Sequence, residues 1–199
     1  MVSSDGLVMC SNNKLSGYMD MISQMTGGAG LGISAIPKEL KVVIGVDQNT
    51  YDAEIVTKDS ELDIVWIKIK NPEAVKFAFV NFSADKKTVI GDEIIVLRRM
   101  GNYFGRQIVA STASIGGITS KPRKLYVPDI MFSNGGGVPV FASNGDAIGF
   151  MITQFPESHG GANSMMSMIS GNFQDGMSGL ILPAAEVSSA TKRAMQPHK

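Results

Sequence analysis

Short apolar runs, broken by glycine, asparagine and aspartate, recur along nearly the whole chain. Runs this short, bounded by turn formers and rich in β-branched residues, predict strands rather than helices. The expected strands fall at residues 7–9, 41–46, 51–57, 64–69, 77–82, 93–97, 106–110, 113–118, 125–127, 138–141, 147–152 and 180–182. They recur every 10 to 15 residues or so. That rhythm favours a barrel or sandwich over alternating strands and helices. One helix is expected, at 183–195, where the composition turns Ala-rich and Lys192-Arg193 sits near the end that favours cations. Two long stretches, 16–37 and 156–179, lack the pattern and are rich in Gly and Met. Loops of that length in a compact domain usually carry function or move. Residues 71–78, which include Asn71-Pro72, read as a connector between a first lobe at 1–70 and a second at 79–199.

Composition narrows the class. The 18 basic residues balance the 18 acidic ones. No general field therefore draws the chain to nucleic acid or to an acidic membrane. No apolar stretch is long enough to span a bilayer. The start of the chain lacks the basic-then-apolar pattern of a signal peptide. One cysteine, Cys10, allows no internal disulfide. These features fit a cytoplasmic protein and a processed or secreted form equally. With one Cys and two His, no common zinc spacing is available, and no cofactor is called for. Three basic clusters stand out: Lys86-Lys87, Arg98-Arg99, and Lys121 with Arg123 and Lys124. Their plainer reading is solvated loop faces; the sharper one is a docking patch. Among 13 methionines, Met165, Met166 and Met168 cluster in the second long loop. Gap filling is the plain explanation, and an adaptable apolar contact surface the sharper one.

Four segments, in order, resemble the HtrA/Deg branch of the trypsin/chymotrypsin-like serine proteases. The first is S-S-D-G-L-V-M-C-S-N-N-K-L, residues 3–15. The family's histidine, the general base, falls on Asn13 there. The second is Y-D-A-E-I-V-T-K-D-S-E-L-D-I-V-W-I-K-I, residues 51–69, where the orienting aspartate falls on Asp63. The third is V-I-G-D-E-I-I-V-L, followed by G-N-Y-F-G at 101–105. The fourth is S-N-G-G-G-V-P-V-F-A-S-N-G-D-A-I-G-F, residues 133–150, where the nucleophilic serine falls on Gly135. L-I-L-P-A-A-E-V at 180–187 resembles the family's last strand and closing helix. The resemblance implies an all-β fold, a chymotrypsin-like double six-stranded barrel with a short C-terminal helix. Against the family's pattern, the expectation is a first barrel short of one or more N-terminal strands, and no PDZ module. Residues ahead of Met1, an oligomer contact or a strand from another chain would complete that barrel.

The chemistry the resemblance implies is a loss. The reaction needs a hydroxyl nucleophile, an imidazole to carry its proton and a carboxylate to orient the imidazole. Gly135 has no side chain, and Asn13 has no nitrogen that titrates near neutral pH. In serine hydrolases, losing the serine or the histidine costs roughly a million-fold in turnover. The expected function is therefore an inactive homologue, a pseudoprotease, that binds peptide or protein. Ser133, Asn134, Gly135, Gly136 and Gly137 are the candidate remnant of the oxyanion loop, whose amides bind without a triad. Met165, Met166 and Met168 fall where the family builds its specificity pocket. Two rival readings stay open: an active endopeptidase with an unusual or misaligned site, and a structural subunit completed by another chain. Cys10 reads as a packed strand residue and His159 as a solvated loop histidine.

Overall fold

The computed structural model describes residues 1–16, 39–45, 49–72, 75–82, 87–130, 132, 136–153 and 179–196. They form two β units and two short α-helices. The first unit is a four-stranded antiparallel sheet of β1 (Leu7–Ser11), β2 (Leu40–Ile44), β3 (Asn49–Asp59) and β4 (Ile64–Ile69), in the order β1-β4-β3-β2. The second is a closed six-stranded barrel of β5 (Glu93–Arg99), β6 (Ile108–Thr119), β7 (Leu125–Pro128), β8 (Val138–Ala142), β9 (Ala147–Thr153) and β10 (Gly179–Pro183), in the order β10-β7-β6-β5-β8-β9. Helix α1 (Asn12–Ser16) follows β1 directly, and α2 (Ala184–Ala194) follows β10. The architecture is the chymotrypsin-like double barrel that the resemblance implied, its first unit an open four-stranded sheet among the described residues.

Alternation explains most strands. β1 buries Leu7, Met9 and Ser11 and turns Val8 and Cys10 the other way. β4 is buried on both faces, because Ile64 and Trp66 join one core while Val65 and Ile67 join another. The barrel fills its interior with Ile94, Val96, Ile115, Tyr126, Val140 and Met151, among others. The largest core lies between the two units. There Leu7, Met9, Ile64 and Trp66 of the sheet meet Phe150, Ile152 and Leu182 of the barrel, and Val187 and Ala190 of α2 close over them. Each buried Leu, Ile, Val, Met or Phe side chain there contributes about 1.5–3 kcal/mol. The Trp66 indole N–H donates to Thr191 Oγ1 at 3.1 Å, tying β4 to α2.

Three elements differ from the sequence expectation. Residues 77–82 are not a strand. The Phe77 and Val80 N–H groups donate to Ser4 O and Met1 O, at 3.0 and 2.9 Å. Those donors are three residues apart, whereas a ladder uses every second residue on a side. The segment is an apolar strap: Phe77 and Phe82 are buried, and Phe82 meets Phe150 edge to face. The two strands expected at 106–110 and 113–118 are one, β6, because Ser111 and Thr112 continue the pairing with β5 instead of turning. Helix α1 was not expected, since five residues are too few to show a helical period.

Candidate functional site

The pairing of β1 with β4 sets the site. Ser11 lies opposite Ile64, so the end of β1 stands beside Asp63, the last turn residue before β4. Asp63 has φ 53, in the left-handed region that aspartate tolerates better than most residues. Its residue is only 3% exposed. Such a carboxylate needs hydrogen-bond donors. The Ser11 hydroxyl donates to Asp63 Oδ2 at 2.8 Å, and the Thr153 N–H donates to the same oxygen at 3.3 Å. The Asn12 N–H donates to the Asp63 carbonyl oxygen at 3.0 Å. Ser11 also caps α1, its oxygen accepting from the Lys14 N–H at 3.3 Å. One hydroxyl thus starts the helix and holds the acid.

The barrel reaches the same place from the other side. Gly137 has φ +84 and comes so close to β1 that an added Cβ would lie 2.9 Å from Ser11 N. A Cβ on Gly136 would lie 2.5 Å from Thr153 Oγ1 and 3.7 Å from Asp63 Oδ2. Two glycines are what let this loop pass between Ser11 and Thr153. The Gly137 N–H donates to Met151 O at 2.7 Å.

The electrostatics centre on α1. Partial burial holds the Lys14 ammonium below the usual lysine range, against the pull of Asp63, and the nearby Arg98 guanidinium lowers it further. Burial first, and Asp63 second, push the Cys10 thiol up to about 11. Cys10 is therefore a packed, protonated thiol at neutral pH. No cluster of potential metal ligands occurs among the described residues.

Of the residues singled out in the sequence, Asp63, Gly136 and Gly137 are brought together. Asn13 lies on α1, two residues past Ser11, and its side chain lies outside the described part. Ser133, Asn134, Gly135, His159, Met165, Met166 and Met168 lie outside the described residues. Ser11, Thr153 and Lys14 were missed. Ser11 and Thr153 are 52 and 90 positions from the acid they hold. A serine directly before Asn12-Asn13, the residue type that caps helices, is the local signal by which Ser11 could have been found.

This cluster sits where the two β units of the double barrel meet. The chain shares 29% identity over 127 residues, 59% of its length, with a probable periplasmic serine endoprotease, DegP-like, of Rhizobium meliloti. The match spans 24% of that relative's length. The sequence likeness is thus to the HtrA branch. In fold the chain matches the protease domain of MamO from Magnetospirillum magneticum in its apo form, with TM-score 0.59 and 15% identity. That match covers 95% of this chain and 84% of the other. At that identity the likeness is one of fold. No family model matches the chain. No helix among the described residues is long and apolar enough to cross a membrane.

Proposed function

We propose that this domain is a catalytically inactive homologue of the trypsin-like serine endopeptidases, working by binding peptide or protein. One observation carries the reading. Asp63 is buried and hydrogen-bonded beside α1 with Gly136 and Gly137 against it, while the positions that the resemblance lays on base and nucleophile are Asn13 and Gly135. A carboxylate with no imidazole to orient, whose hydroxyl partner Ser11 is buried, does no acyl-transfer chemistry. In this reading the lobes at 1–70 and 79–199, joined by 71–78, serve as a scaffold. The amides of 133–137 and the methionines at 165, 166 and 168 form its contact surface.

Lys14 is the feature that supports the active alternative, because an amine with a depressed pKa can act as a base. It has no nucleophile to serve among the described neighbours. Ser11 is 1% exposed with its proton on Asp63, and Cys10 stays protonated. The structural-subunit reading draws on β1 and β2, the two outer strands of the first sheet among the described residues. The test is a fluorophosphonate probe with casein hydrolysis, applied to the chain and to Gly135→Ser. Neither is expected to label or cleave. Labelling abolished at one serine, or cleavage by Gly135→Ser, sinks the reading. A stable homo-oligomer held through β1 or β2 would favour the structural alternative.

A further inference from the structure

The β5–β6 hairpin outruns its barrel. β8 pairs with β5 only along Ile94–Val96, and β7 joins β6 only from Ile115 onward. Between those limits, Leu97, Arg98 and Arg99 pair with Ala110, Val109 and Ile108 alone. A two-stranded arm therefore stands free of the barrel wall among the described residues. Two-stranded arms are marginal in water unless something packs on them.

The arm is built and its surface is unusual. A single 3-10 turn at Asn102–Phe104 closes it, with Gly105 and Arg106 both left-handed at φ 60 and 55. Backbone bonds from Met100 to Gln107 O, and from Phe104 and Arg106 to Gly101 O, fix the tip. Tyr103 is 93% exposed and Phe104 57%, the two rings meeting edge to face at 5.1 Å. Met100 and Ile108 are exposed beside them. Arg98 and Arg99 are exposed, and neither they nor Arg106 pairs with a carboxylate among the described residues. Residues 94–128 contain six cations and no carboxylate. The arm itself, residues 97–110, carries Arg, Tyr, Phe and Met without Lys, Asp or Glu, which is the composition of protein-interface centres.

We propose that the β5–β6 arm is a docking surface for an acidic segment of a protein partner, with Tyr103 and Phe104 as apolar anchors and Arg98, Arg99 and Arg106 as carboxylate receptors. This rests on the binding role proposed above and gives that role a partner chemistry. Each arginine can take a carboxylate through two parallel N–H bonds. The free edges of the arm accept an extended chain as a third strand. Arg98 carries the positive field from the arm to Lys14 on α1. The balanced charge of the whole chain argues against a polyanion held by a general field.

The test uses the whole chain and a fluorescein-labelled decapeptide rich in Asp and Glu with one Phe, read by anisotropy at low and high salt. Binding is expected, weaker at high salt. Arg98→Glu with Arg99→Glu, and separately Tyr103→Ala with Phe104→Ala, are each expected to weaken it by roughly tenfold or more. Lys58→Glu, on β3, should leave it unchanged. Unfolding curves followed by Trp66 fluorescence confirm that each variant folds. No binding, binding that the arm variants leave intact, or equal binding of a Lys-rich counterpart overturns the proposal. So does tighter, arm-dependent binding to phosphatidylserine-containing vesicles or to oligo-dT, which assigns the arm to lipid or nucleic acid. Cleavage of the decapeptide would instead overturn the inactive reading, while the variants' affinities still report on the arm.

Discussion

Gly137→Ala is the sharpest probe of how the two β units meet. The substitution has two costs. At φ +84 an alanine pays the left-handed penalty, about 1–2 kcal/mol. Its methyl would also lie 2.9 Å from Ser11 N and 3.2 Å from Ser11 Cβ. Ser11 is pinned by pairing with Ile64 and by Asp63, so it yields little, and forced overpacking of this kind costs about 1–3 kcal/mol more. Gly145→Ala separates the two costs. Gly145 has nearly the same dihedral, φ +87, with nothing within 4 Å of the added methyl. It pays the first cost alone. Urea unfolding followed by Trp66 fluorescence should therefore place Gly137→Ala below Gly145→Ala by about 1–3 kcal/mol, with similar m-values. Losses equal to within about 0.5 kcal/mol would show that the loop does not press on β1, and would remove the argument that glycine is required there.

Ser11→Ala strips one donor from a buried carboxylate and the cap from α1. It should cost about 2–4 kcal/mol by thermal or urea unfolding, and a loss under about 0.5 kcal/mol would show the hydroxyl is not holding Asp63. Thr191→Val leaves the buried Trp66 indole N–H without its acceptor and should cost about 1–3 kcal/mol, whereas Thr191→Ser should cost less. Cys10 should react with iodoacetamide at pH 8 about a hundredfold more slowly in the folded chain than in urea, because its pKa rises from 9.0 to about 11. The same shift sets a sign: the unfolded thiol ionises first, so this group's contribution to stability falls as pH rises from 9 toward 11.

What the sequence disclosed follows from the range of each interaction. β4, β5, β8, β9 and β10 are legible because alternation and turn residues are local signals. The strap at 77–82 misleads because burial alone put Phe77 and Phe82 inside, and an apolar run looks the same whether or not a ladder flanks it. At the site, Asp63 stands out by its motif. Ser11 and Thr153, its hydrogen-bond donors, come from other elements whose approach only the folded chain defines. Gly136 and Gly137 read in the sequence as part of an oxyanion-loop remnant, yet in the structure their missing side chains make room for Ser11 and Thr153.

Helix α2 gives the domain a particular order of assembly. Its Val187 and Ala190 close over Leu7, Met9 and Trp66, and its Thr191 satisfies the Trp66 indole. On the ribosome, the sheet that holds Trp66 emerges long before the helix that seals it. Until then its apolar face is open to water and to other chains. Contacts between residues so far apart in sequence form slowly. The first sheet is thus the part of a nascent chain that a chaperone would hold, and a chain halted before α2 is the form expected to aggregate.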